Sequence, residues 1–319
     1  MNQFKRIMVP VQSIDGTYTA VKDASIGPAF HNHNGKLQAD VITPAGFANL
    51  LELQYFQSPG TLRKGLECLP HIAFDVNRPD YPTERVTTIE IPHRLASYYN
   101  LLGQANGEKG VVETMVRQKA SEVGLAAAVG YFDPNSLLMG YLFTNWDNVN
   151  VNISAGSRNI QGSIKAFDVT RVKGAGVSKD PILPSNEYGQ LQGAPATLSS
   201  KGLGHIPLNS GHSFISDDVR LSAWVLYKQI DRLPVSSELK TLVASLGEFQ
   251  LASLLSDDIY IRTGCNLFPI NEEDGNYEVD EYITKVQKAC EACLSKGVIN
   301  PNTVETFELN IKAKKASKK

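Results

Sequence analysis

Hydrophobic positions recur with two periods along this 319-residue chain, and the switches between them predict its elements. Apolar residues alternate through FKRIMVPVQSIDGTYT, and Asp15-Gly16 supplies turn chemistry, so the chain opens with a strand and a turn. The glycine- and asparagine-rich stretch through His31, His33 and Gly35 reads as a loop, followed by a helix around Gly46 to Tyr55. Residues 57–85 hold prolines at 59, 70, 79 and 82 and little periodicity, which predicts an insertion or loop. TTIEI (87–91) reads as a strand leading into HRLASYYNLL. Val112, Met115, Val116, Ala120 and Val123 share one face of a helix predicted over 109–129.

After FDPNSLLMGYLF, the segment NVNVNISAGSRNIQGSIKAFDVTRVKG reads as two strands joined by a polar, glycine-containing turn. Residues 174–217 are rich in glycine, serine and proline and lack a helical period, which predicts a long loop or irregular hairpin. Helices are predicted at 218–232, at 236–255 with Leu239, Leu242, Val243, Leu246 and Phe249 on a stripe, and at 277–296, with strand IYIRTGCNLF (259–268) between the last two. Strands and helices without strict βαβ alternation predict an α+β fold.

Composition adds that the chain folds, with 42% hydrophobic and 20% charged residues, as one large domain or two ordinary ones. The opening MNQFKRIMVPVQSI has no apolar run of the secretory kind, and the longest apolar stretch, around Gly124 to Phe132, is too short to span a bilayer. A soluble, cytoplasmic protein with no membrane partner is expected.

Charge changes the picture more. The formal net charge is −2, yet span 158–201 carries six basic residues against three acidic ones, and the tail 312–319 adds five lysines. A mildly acidic body with two basic features can present a positive strip to a polyanion. The tail KAKKASKK reads as a disordered, solubilising end.

The sequence contains no P-loop, dinucleotide-binding glycine motif, HExxH or GxSxG elbow, so no catalytic residues are assigned. Cys290 and Cys293 have metal-like spacing but no second ligand pair, so they read as ordinary helix residues. His31 and His33 in a polar loop, and Asp257-Asp258 in a turn, lack the partners that a metal site needs. No metal and no cofactor are expected. In VNISAGSRNIQGSIKAFDVTRV, small residues around Gly156 would let a backbone approach closely, while Arg158, Lys165 and Arg171 can neutralise phosphates. From the residues alone, a solvated hairpin and a nucleic-acid grip both remain open.

Six blocks in order carry a family likeness: PVQSIDGTYTAVKDASIGPAF, IEIPHRLASYYN, DPNSLLMGYLF, SRNIQGSIKAFDVTRV, LSSKGLGHIPL and IYIRTGCNLF. Together they resemble the CRISPR-associated backbone subunit, the Cas seven family, of the subtype I-G (formerly I-U) branch of Cascade, from about residue 8 to 270. The resemblance implies a modified RNA-recognition-motif, ferredoxin-like palm with a projecting β-hairpin thumb. One domain would span 1–311, with the thumb insertion at about 172–217. It further implies a non-catalytic subunit that polymerises along a CRISPR guide RNA, with target DNA, further copies of itself and other Cascade subunits as partners. Sequence would then be read by base pairing, and the protein would read backbone and shape.

Where the blocks match, the resemblance implies RNA contacts from His93, Arg94 and Ser97 in HRLASYY, from Ser157, Arg158 and Lys165 in SRNIQGSIK, and from Arg171, Lys173 and Lys179 along the thumb. Ile14, Asp15 and Gly16 stand where the family tends to place a basic residue, and Lys22 could substitute. Two other readings stay open: a related subunit that cleaves target RNA with a metal and a loop aspartate (Asp15, Asp23 or Asp180), and an assembly protein that packs nucleic acid nonspecifically.

Overall fold

The computed structural model describes residues 4–23, 27–28, 30–58, 61–79, 81–91, 93–97, 103–105, 108–143, 155–172, 177–179, 205–207, 213–262 and 265–310. Its main elements in chain order begin with strand β1 (Ile7–Ser13), hairpin strands β2 (Phe30–His33) and β3 (Lys36–Ile42), and helix α1 (Pro44–Leu53). Strands β4 (His71–Asn77) and β5 (Glu84–Thr87) precede three consecutive helices, α2 (Val111–Val123), α3 (Leu125–Phe132) and α4 (Pro134–Met139). Strands β6 (Ile160–Phe167) and β7 (Asp218–Val225), helix α5 (Ser237–Leu255), strands β8 (Ile259–Arg262) and β9 (Cys265–Pro269), helix α6 (Val279–Ser295) and strand β10 (Val304–Asn310) complete the set.

The main sheet has seven strands in the order β8-β9-β1-β7-β6-β3-β2. Strand β1 runs antiparallel to both β7 and β9, and β6 runs antiparallel to β7. With α1 between β1 and β6, and α5 between β7 and β9, the central four strands trace β-α-β-β-α-β, the ferredoxin-like connection that RNA-recognition folds share. Strict alternation explains why the sheet has one covered and one open face: in β7, Val219, Leu221, Ala223 and Val225 are buried while Arg220 on the other face is exposed. Helix α1 lies close over β6, since a Cβ on Gly162 would come within 2.2 Å of the Phe47 ring. A second sheet sets β5, β4 and β10 side by side, with β10 parallel to β4.

Several expectations are corrected. The predicted helix at 218–232 is strand β7 up to Val225, and only Tyr227–Asp231 is helical, because period two in VRLSAWV buries one face of a sheet. The loop through His31 and His33 is a hairpin, turned by Asn34 at φ +52 and Gly35 at φ +80, a pair of left-handed residues suited to a tight two-residue turn. Residues 57–85 include β4, buried along nearly its whole length, so its apolar run shows no alternation. The strand predicted at 87–91 ends at Thr87, and residues 88–90 form a turn.

The helix predicted over 109–129 is two helices broken at Gly124, where φ is +84. The strand at 259–268 is the β8–β9 hairpin. Of the two strands expected after Phe143, the first falls on 144–154, outside the described residues, while Ala155–Gly156 pairs with Tyr141–Leu142 and β6 is a central palm strand between β7 and β3. Beyond it, Thr170–Arg171 pairs with Ser213–Ile215 and Val177–Lys179 pairs with His205–Pro207, two nested antiparallel ladders at the ends of the insertion. The rest of that insertion and the lysine tail lie outside the described residues. Among the described residues no helix is long and apolar enough to cross a membrane.

Candidate nucleic-acid interface

Helix α4 is short, and all six of its residues are buried, so its ends must be satisfied by side chains. At the N-terminus Asp133 accepts from the Ser136 backbone N–H at 3.3 Å and from the Ser136 hydroxyl at 2.8 Å. The same hydroxyl accepts from the Leu95 N–H at 3.1 Å, which ties the 93–97 turn to the helix. Burial pushes the Asp133 carboxyl above its usual range, and its bonds to Ser136 oppose that rise.

At the C-terminus the carbonyls are capped from the segment before β6. Asn159 donates its amide N–H to Leu138 O at 2.7 Å and its side chain to Leu137 O at 2.7 Å. Arg158 Nε donates to Met139 O at 3.2 Å, while Nη1 reaches Pro44 O at 2.9 Å. Gly140, at φ +84, allows this approach, because a Cβ there would meet Gly156 O at 2.9 Å and Arg158 N at 3.0 Å. A guanidinium at a helix C-terminus is also favoured by the exposed carbonyl dipoles.

Opposite Arg158, His93 and Arg94 both adopt left-handed backbone, at φ +65 and +53. Consecutive non-glycine residues in that region store strain, which persists only where the surroundings impose it. Here the imposition is a buried ion pair. Arg94 Nη2 donates to Glu52 Oε2 at 2.8 Å, and Arg94 Nε donates to Glu52 Oε1. Asn135 also donates to Glu52 Oε1, at 2.9 Å, and Tyr55 donates to Asn135 at 3.2 Å. Burial raises the Glu52 carboxyl and Arg94 pulls it back; burial first and the nearby Arg94 second lower the Arg158 guanidinium.

His93, Arg94 and Arg158 therefore line one open cleft of about 470 Å³, with Pro44, Gly140 and Gln161. Arg94 is matched by Glu52, which is not part of the lining, so Arg158 leaves the cleft net positive, with the exposed His93 beside it. Such a wall suits a phosphate.

Ser157 is exposed beside Arg158, and Ser97 is buried, so its contacts are internal. Lys165 stands on the open palm face, half exposed, 3.5 Å from Asp40 and in register with Arg220. Arg171 is exposed and lies 4.2 Å over the Phe30 ring. Lys22 and Lys179 sit in short strands whose side chains are not described, and Lys173 lies outside the described residues.

Of the aspartates considered for cleavage, Asp15 is held in its own turn, accepting from Ser13 Oγ at 2.7 Å and from Thr17 N at 2.9 Å; these bonds lower its carboxyl. Asp180 lies outside the described residues and the Asp23 side chain is not described. His31 pairs with Asp40 at 2.9 Å, and Cys290 and Cys293 are buried in the core. Among the described residues no group of three or more His, Cys, Asp or Glu side chains could hold a metal. Reading the sequence missed Glu52 and Asp133. Their signals were a carboxylate inside the apolar helix PAGFANLLEL and an Asp-Pro pair before a short apolar run.

The family model described as CRISPR-associated protein GSU0053 (Cas_GSU0053) matches residues 25–171. Less than half of the chain is covered, and that part is similar to a CRISPR-associated family. It contains Glu52, His93, Arg94, Asp133 and Arg158, the residues that build the cleft. No curated protein matches the chain. Among solved structures, a chain of a "CRISPR RNA-guided surveillance complex, pre-nicking" is similar at 12% identity and a TM-score of 0.40, covering 84% of this chain and 74% of that one.

Proposed function

We propose that the protein is a non-catalytic, guide-RNA-binding backbone subunit of a type I CRISPR interference (Cascade) complex, of the Cas seven kind. Copies would polymerise along the guide and hold it for pairing with target DNA. One observation carries the reading: the segment similar to a CRISPR-associated family is the one that assembles a net-positive cleft from His93, Arg94 and Arg158 beside a ferredoxin-like palm. The cleft gathers two guanidiniums and an imidazole around open space, which suits holding an RNA backbone whose bases do the reading.

Single-molecule mass measurement tests this. Mixed with a guide-length RNA, the protein should form a ladder of complexes spaced by the 34.9 kDa subunit. Complementary RNA added with magnesium should remain intact. One copy per RNA regardless of length, or cleavage at regular intervals, would contradict the proposal.

A further inference from the structure

Beyond the first cleft, β1 and β7 hold a second groove of about 740 Å³ at the end of the open palm face. Its floor is Trp224, part exposed on β7, and Met8, 59% exposed on β1, two register positions apart and so on the same face, because Met8 pairs with Ser222. Its rim carries Lys5, Arg6, Lys228 and Arg232 against a single carboxylate, Asp231. All four cations are exposed, and no described carboxylate lies within ion-pair distance of them. Four exposed cations with no described carboxylate partner, grouped around an accessible indole on a chain whose net charge is −2, make a local positive potential that attracts a polyanion.

The groove is also built to stay in place. Phe4 is fully buried against Tyr277 and Tyr282, with ring centroids 5.4 and 5.8 Å away, and its carbonyl accepts from Val225 N at 2.8 Å; this fixes Lys5 and Arg6. The short helix that carries Lys228 is pinned by Tyr227, whose hydroxyl donates to Glu248 at 2.7 Å.

The two clefts are neighbours. Gln161 lines the first, Trp224 lines the second, and the two are directly paired across β6 and β7. Paired residues on adjacent strands stand about 5 Å apart, so the clefts lie side by side at this pair.

We propose that one strand of nucleic acid runs from the His93–Arg94–Arg158 cleft across the Gln161–Trp224 pair into the second groove. There a base stacks on Trp224 and the following phosphates meet Lys5, Arg6, Lys228 and Arg232. This rests on the guide-RNA reading and adds to it the path of the strand and a stacking residue. An indole flanked by cations is sequence-tolerant, because every base has a π-face, which is what a subunit that must accept any spacer needs.

Trp224 and Trp146 are the only tryptophans, so Trp146→Phe leaves Trp224 as the sole indole reporter. That variant is titrated with oligouridine and with the DNA strand of equal length, following emission and affinity. Quenching on binding is expected, with Trp224→Ala weakening binding about five- to a hundredfold. Lys228→Glu with Arg232→Glu, both exposed and safe for the fold, should weaken it about tenfold or more and flatten its salt dependence. Preference for RNA assigns the channel to a guide, and preference for DNA assigns it to a target strand; either supports a single-strand path.

Tight binding with unchanged Trp224 emission, and with full affinity in the double variant, overturns the path while leaving the guide-RNA reading standing. A change in copy number without RNA, at unchanged RNA affinity, also overturns it and makes the groove a protein contact. No binding of either strand by the unsubstituted chain removes both.

Discussion

Arg94 grips Glu52 with two nitrogens in a buried site, and the price of that grip is a left-handed backbone at Arg94 and at His93 before it. The pair joins α1 to the 93–97 turn, so it shapes the cleft without being its reactive surface. Breaking one half leaves a buried charge alone. Arg94→Met or Glu52→Leu should each cost about 3–5 kcal/mol, and the double replacement should cost clearly less than the sum. Denaturant melts of the four proteins check this.

Asp133 makes stability pH-dependent with a definite sign. Burial raises its folded pKa above the unfolded 3.8, so over the window starting there the folded state holds the extra proton. Stability from this group is therefore lost as pH rises through that window, up to the folded pKa. The stability of the wild type relative to Asp133→Asn, which keeps a capping oxygen, should fall as pH is raised from about 4 and then level off, as read from melts at stepped pH.

Gly140 allows α4, Gly156 and Arg158 to approach at backbone distance. Gly140→Ala places a Cβ against backbone atoms at a positive φ, so it should cost about 1–3 kcal/mol and lower RNA affinity through displacement of Arg158. Thermal melts and a binding titration together check this. Intact affinity in a destabilised protein would detach the glycine from the cleft.

Arg158 and Lys165 separate structural from purely electrostatic roles. Arg158 caps two carbonyls, whereas Lys165 is half exposed and meets only Asp40 at 3.5 Å among the described carboxylates. Both charge reversals should weaken RNA binding and lower the slope of log affinity against log salt by about one. Only Arg158→Glu should also lower the melting temperature, by a few degrees, since exposed pairs such as Lys165–Asp40 contribute little.

Much of the fold was legible because period and length agreed. Helices α5 and α6 carry long stripes, and Ser236 caps α5 by accepting from Leu239 N at 3.2 Å. Strand β7 was misread because its alternation runs straight into the apolar LYKQI that follows, so a window across both looks helical. Strand β4 was hidden by neighbouring prolines and by burial on both faces. The Asn34-Gly35 turn was readable and passed over.

In the candidate site, Arg94 and Arg158 stood inside recognisable blocks; a carboxylate in an apolar helix marked Glu52 as unusual, but 42 residues separate it from Arg94 and no local pattern names Arg94 as its partner. The second groove was invisible for the same reason at greater range. Met8 and Ser222 become neighbours only when β1 pairs with β7.

The central claim is that this protein holds a CRISPR guide, and sequencing the RNA that co-purifies with it from cells carrying a CRISPR array tests that most directly. The account predicts a dominant population of spacers flanked by repeat-derived sequence, diminished when Arg158 and Lys165 are both changed to Glu. RNA without repeat sequence, or no RNA at all, would contradict it.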